Sequence, residues 1–239
     1  MTREIFQQRL RELTDSVLVM GSMVDQAIER STKALRDQDT RLAQEVIKDD
    51  SRINQLRFDI EDSCLLLIAT QAPMASDLRM LAAALHISTD LERMADHAAG
   101  NAKITLLTAG ESLPDLRRER WLKPLVDIPR MSDVAREMLR DSLHAFAERD
   151  TDAAQQVALR DDEVDAVYNR VYRDLLGVMM ADPATIDRAT HLLWAAHNLE
   201  RIADRVTNIC ERVIFLVSGR MAEIKSGTDR ELEAEAETP

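Results

Sequence analysis

Residues 198–209 read Asn-Leu-Glu-Arg-Ile-Ala-Asp-Arg-Val-Thr-Asn-Ile, and 108 positions earlier residues 90–97 read Asp-Leu-Glu-Arg-Met-Ala-Asp-His. In both copies a leucine and an alanine stand four apart, as Leu91/Ala95 and Leu199/Ala203. Beside them stand an acid pair four apart, Glu92/Asp96 and Glu200/Asp204. Four residues is about one helical turn, so each pair lies on one face, one side chain above the other. Outward from the second copy, Leu192, Ala196, Leu199, Ala203, Val206, Cys210, Val213 and Val217 are spaced alternately by four and three. That is the seam of a helix packed against others, and its alanines permit close approach.

The same periodicity covers most of the 239 residues. Gly (6) and Pro (6) are too few for the frequent turns of an all-β chain, and aromatics make up only 3%. Breaks are expected at residues 36–40, 70–73, 108–129, 148–151 and 181–183, which leaves six helices. Toward the start of each copy the offset becomes 111 without a gap. It lays Met20 over Met131, Ser31 over Ser142, Leu35 over Phe146, Asp39 over Asp150 and Asp50 over Asp161. The fold class read from this is all-α, two tandem pseudo-symmetric three-helix bundles. The first repeat spans 1–110, a connector 111–124 and the second repeat 125–218. Residues 219–239 are expected to be an acidic, disordered tail.

Composition narrows the function. A net charge of −12 with no basic stripe speaks against nucleic acid. No apolar run reaches the roughly 20 residues of a membrane span, so no transmembrane segment is expected. The opening residues have no apolar signal-peptide core. Two cysteines, Cys64 and Cys210, fit small core residues in a reducing cytoplasm.

The acid pairs carry the chemistry. Asp161 and Asp165 flank a seam of Val164, Val167 and Val171, and Asp50 and Asn54 flank Ile53 and Leu56. Each half thus has two helices with an oxygen-bearing pair beside the seam, and on neighbouring helices the pairs would converge. Like charges four apart repel by roughly 0.2–0.5 kcal/mol in an isolated helix. A bound cation reverses that sign, and such oxygen sets suit hard or borderline divalent or trivalent ions. The metal-ligand candidates are therefore Glu92, Asp96, Glu200, Asp204, Asp161, Asp165, Asp50 and Asn54. His197, one turn before Glu200, and Asn208, one turn after Asp204, could join them. His97 is expected to face solvent and His86 to pack along its helix.

Residues 71–79 (Gln-Ala-Pro-Met-Ala-Ser-Asp-Leu-Arg), 89–97 and 198–209, with Phe6-Gln7-Gln8-Arg9-Leu10, together resemble the PhoU family. The resemblance runs from residue 1 to about 219 and includes the duplication. It implies the six-helix fold of two bundles and Glu/Asp-x-x-x-Asp motifs binding multinuclear clusters of iron, zinc, manganese or magnesium. The motifs fall on Glu92/Asp96, Glu200/Asp204, Asp161/Asp165 and Asp50 with Asn54. Gly100, where the second repeat has Asn208, departs from full symmetry. The resemblance further implies a cytoplasmic, often homodimeric protein with no catalytic activity. Such a protein restrains the phosphate ABC transporter through its ATPase. It also holds a phosphate-sensing histidine kinase in its repressing state, so that phosphate-starvation two-component signalling stays off when phosphate is plentiful.

Two other classes compete. A carboxylate-bridged metalloenzyme or metal-storage bundle also uses helical carboxylates, but needs Glu-x-x-His on two helices. No Glu-x-x-His occurs, and Asp141-Ser142-Leu143-His144 is the nearest approach. A bundle whose acids only keep it in solution is the third reading.

Overall fold

The computed structural model describes residues 3–109, 119–221 and 224, with side chains from 124 onward in the second stretch. Among the described residues seven α-helices form: α1 (Arg3–Asp37), α2 (Thr40–Gln71), α3 (Ala75–Leu107), α4 (Glu119–Glu148), α5 (Thr151–Ala158), α6 (Asp161–Ala181) and α7 (Ile186–Ser218). Among the described residues there is no strand. The 35 residues of α1 span about 52 Å. Helices α1–α3 make the first bundle, and α4, α7 and the α5/α6 pair make the second.

The turn that opens the second rod of each repeat is built twice in one way. Gln38 and Arg149 both take a left-handed backbone, with φ of 53° and 56°. Each is followed by a capping aspartate. Asp39 accepts from the Leu42 backbone N–H, and Asp150 from those of Asp152 and Ala153. Such a cap contributes about 1 kcal/mol, which offsets a strained residue without glycine. Ser31 and Ser142 are both fully buried and donate back to Ile28 and Leu139 carbonyls. All three pairs lie 111 apart.

The bundles meet through α1 on α4 and α3 on α7, so each helix faces its own repeat counterpart. The contacts are reciprocal. Gly21 lies against Leu143, while Ser132, the counterpart of Gly21, receives a hydrogen bond from Thr32, the counterpart of Leu143. Near the pseudo-two-fold axis Asp25 pairs with its own counterpart Arg136 at 2.9 Å. Across α3 and α7, Asp90 accepts from Arg205 and Asn208. Its counterpart Asn198 contacts His97 at 3.3 Å, donates to Asn101 at 2.8 Å and lies against Gly100. A self-complementary patch is the signature of two-fold association.

The expected seam of α7 is buried from Leu192 to Val213, and Val217 at its end is exposed. Ala195, Ile202 and Ile209 are buried too, because α7 also packs on the other bundle. One expected break and one expected helix differ. Pro124 and Pro129 lie inside α4, near its start, where packing of residues such as Ile128 and Met131 outweighs two lost backbone bonds. The fifth helix, expected unbroken, is interrupted at Leu159 and Arg160, immediately before Asp161. Of the connector 111–124, residues 111–118 lie outside the described residues, and so does the tail apart from 219–221 and 224.

Gly177 sits on the exposed face of α6 with open space around a would-be Cβ, so Gly177→Ala should stabilise the protein by about 0.5–1 kcal/mol. A Cβ on Gly21 would collide with the Leu143 side chain, so Gly21→Val should cost on the order of 1–3 kcal/mol. Urea unfolding followed by circular dichroism measures both.

Candidate metal centre

The seams set the acids in place. On α2, burial of Ile53 turns Asp50 and Asn54 toward α3, and Asn54 Nδ2 donates to Asp50 Oδ2 at 3.1 Å. On α3, buried Leu91 and Ala95 leave Glu92 half-buried and Asp96 exposed beside them. These acids sense one another. Burial, then the charge of Asp96, raises the Asp50 carboxyl above its ordinary range. Glu92 is raised by burial and by Asp96 and Asp50, with Arg57 opposing.

The second ridge is more strained electrostatically. Asp161, only 8% exposed, is pushed up to about 7 by burial and by Asp165, Asp204, Glu200 and Asp162. Glu200 is likewise pushed up to about 7, by burial, Asp204 and Asp165. Asp161 heads α6, where the helix dipole favours an anion, yet burial and the neighbouring acids outweigh it. His197 Nδ1 lies 3.2 Å from Glu200 Oε2, and its ring stands 6.0 Å from that of Tyr168. Thus Asp50, Glu92 and Asp96 lie close enough in one repeat to act on one another's charge, with Asn54 bonded to Asp50. Asp161, Asp165, Glu200 and Asp204 do so in the other.

Other candidates sit elsewhere. Asn208 donates to Asp90 at 3.3 Å in the contact between bundles, and Gly100 faces Asn198 in the same contact. Their difference therefore belongs to the interface. His97 is half-buried there on Asn198 instead of facing solvent, and His86 is exposed instead of packed. Cys64 and Cys210 are fully buried, and burial pushes both thiols up to about 12. Periodicity already set Tyr168 on the same stripe as Asp161 and Asp165, but it did not single out Arg57 as a ridge residue. The 111 offset that places them over each other was the available signal.

The sequence profile of the PhoU domain matches residues 17–105 and 128–213, one match per repeat. The chain belongs to the PhoU family. A phosphate-specific transport system accessory protein PhoU homolog of Clostridium acetobutylicum is 39% identical over 94% of this chain and 99% of its own length. A protein of the same description from Aquifex aeolicus is 39% identical over 90% and 93%. The crystal structure of PhoU from Pseudomonas aeruginosa superposes with a TM-score of 0.82 at 34% identity, covering 90% of this chain and all of that one. That of the phosphate transport system regulatory protein PhoU from Streptococcus pneumoniae gives 0.81 at 32%, covering 91% and 99%. Both support two three-helix bundles.

The ridges of this PhoU-family chain suit a cation chemically. Asp50 Oδ1, Asn54 Oδ1, Asp161 Oδ1 and Glu200 Oε2 are buried oxygens without a hydrogen-bond donor. Buried acceptors without partners are costly, and a cation satisfies several at once. Among the described residues no three His, Cys, Asp or Glu side chains are yet drawn together as a ligand set.

The raised acids set a pH dependence for metal-free protein. Asp161 starts from 3.8 and rises to about 7 on folding, so the folded state holds its proton more tightly than the unfolded state. Its favourable contribution is full at pH below about 4 and is lost as pH rises through about 7. In chelator, Asp161→Asn should gain stability relative to the parent between pH 5 and 7.5. Denaturation midpoints at the two pH values check this; an unchanged difference would refute it.

Proposed function

We propose that this chain is a metal-binding accessory regulator of phosphate uptake. In this reading it restrains the phosphate ABC transporter through its ATPase and keeps a phosphate-sensing histidine kinase repressing when phosphate is plentiful. The protein works in the cytoplasm as a homodimer and catalyses no reaction. The observation that carries the reading is the pair of matching acid ridges, with orphaned buried oxygens, on a fold shared with proteins described as phosphate-transport accessory or regulatory proteins. No helix among the described residues is long and apolar enough to cross a membrane.

Bound metal has a definite part here. Asp50, Asn54, Glu92 and Asp96 would hold it on one ridge, and Asp161, Asp165, Glu200 and Asp204 on the other. Iron, zinc, manganese or magnesium, as multinuclear clusters, would neutralise acids that otherwise repel, tying α2 to α3 and α6 to α7. The transporter and kinase surfaces would then dock on a stiffened body.

Purified protein should carry metal, and a Glu92→Ala/Glu200→Ala double variant should lose most of it by elemental analysis; equal content would remove these ligands from the site. Pull-downs should recover the transporter ATPase and the kinase, more weakly in chelator. Folded protein that captures neither would defeat the regulatory reading. Ferrous loading with sustained oxygen turnover would favour a carboxylate-bridged oxidase instead.

A further inference from the structure

We propose that the two ridges are chemically unequal: the second is a mixed nitrogen–oxygen centre where His197 and Tyr168 join the carboxylates on a borderline cation, and the first is a weaker all-oxygen site. This rests on the metal-binding role proposed for the chain, and it assigns different donors within that role.

The repeat itself supplies the comparison. Asp165 replaces Asn54, which adds an anionic oxygen to the second ridge. Tyr168 replaces Arg57, which exchanges a cation for a phenol. Arg57 is half-buried, pairs with Glu61 at 3.1 Å and opposes the raising of Glu92, so the first ridge carries its own counter-charge. His197 replaces Thr89, whose hydroxyl is spent on the Leu85 carbonyl of its own helix. Arg93 and Arg201 occupy matching positions and do not distinguish the ridges.

Geometry gathers the new donors around one acid. His197 Nδ1 is 3.2 Å from Glu200 Oε2, an oxygen that is buried and accepts no hydrogen bond. The Tyr168 ring, one turn along α6 from Asp165, stands beside His197 with the ring centroids 6.0 Å apart. Asp161 closes the other end, more than nine-tenths buried with Oδ1 unpartnered. Imidazole and phenolate suit iron or zinc better than magnesium, whereas the first ridge offers only carboxylates and an amide.

Ferric iron, delivered as its nitrilotriacetate complex to the full chain, tests this, with visible absorbance and bound iron read together. The expected result is a phenolate-to-iron charge-transfer band that Tyr168→Phe abolishes while keeping bound iron and helicity. Zinc titration should show a tight phase that His197→Gln weakens at least about tenfold. Asp161→Asn/Glu200→Gln should remove that phase, and Glu92→Gln/Asp96→Asn should leave it. Arg57→Gln should strengthen the weak phase. Iron bound without the band, or a tight phase that follows Glu92 and Asp96, would overturn the inequality while leaving metal binding intact. Absence of metal from both ridges would overturn both.

Discussion

The structure depends on the close packing of α3 against α7. Each of these helices serves its own bundle and the neighbouring one, so each buries more than one stripe. Small residues make this possible. Ala83, Ala84, Ala95, Ala98, Ala99 and Ala102 on α3, and Ala189, Ala195, Ala196 and Ala203 on α7, are all buried. Larger side chains there would push the helices apart and lose dispersion contacts along their length. The polar contacts within this packing, Asp90 with Arg205 and Asn208, and Asn198 with His97 and Asn101, fix which residues meet.

With α3 and α7 fixed, only one face of each remains for acids, and the second rod of each repeat brings its own acids against that face. Hydrophobic burial of Ile53, Leu91, Val164 and Leu199 contributes roughly 1.5–3 kcal/mol per side chain. A repelling acid pair on a helix costs tenths of a kcal/mol. The fold can therefore hold carboxylates together that would separate if free. What remains is a store of unfavourable charge that a bound cation would relieve, at Asp161 and Glu200 above all.

Much of this was legible in the chain itself. The three-and-four spacing of Leu192 to Val213 marked the buried face of α7, and the repeat offsets paired the acids. The polar breaks at 36–40 and 148–151 marked two helix starts, where Asp39 and Asp150 prove to be the caps. Other features were hidden for physical reasons. Pro124 and Pro129 are local breakers overridden by tertiary packing. The break before Asp161 has neither glycine nor proline, and only the acidic run Asp161-Asp162-Glu163 hinted at a new helix start. Periodicity finds one buried stripe per helix, so the surface between bundles was invisible. His97, Gly100 and Asn208 were consequently weighed against solvent or metal, when their partners lie on the opposite bundle.

The reciprocal pairing of Gly21 with Leu143 and Thr32 with Ser132 has a consequence for assembly. Two separate copies of one repeat would meet across this surface only above a threshold concentration. Joined in one polypeptide, the halves face each other at a fixed, high effective concentration, and dilution cannot part them. The tether also frees the two sides from being identical. A glycine can sit opposite a leucine on one side of the axis while two hydroxyls meet on the other, a division of labour closed to a true homodimer.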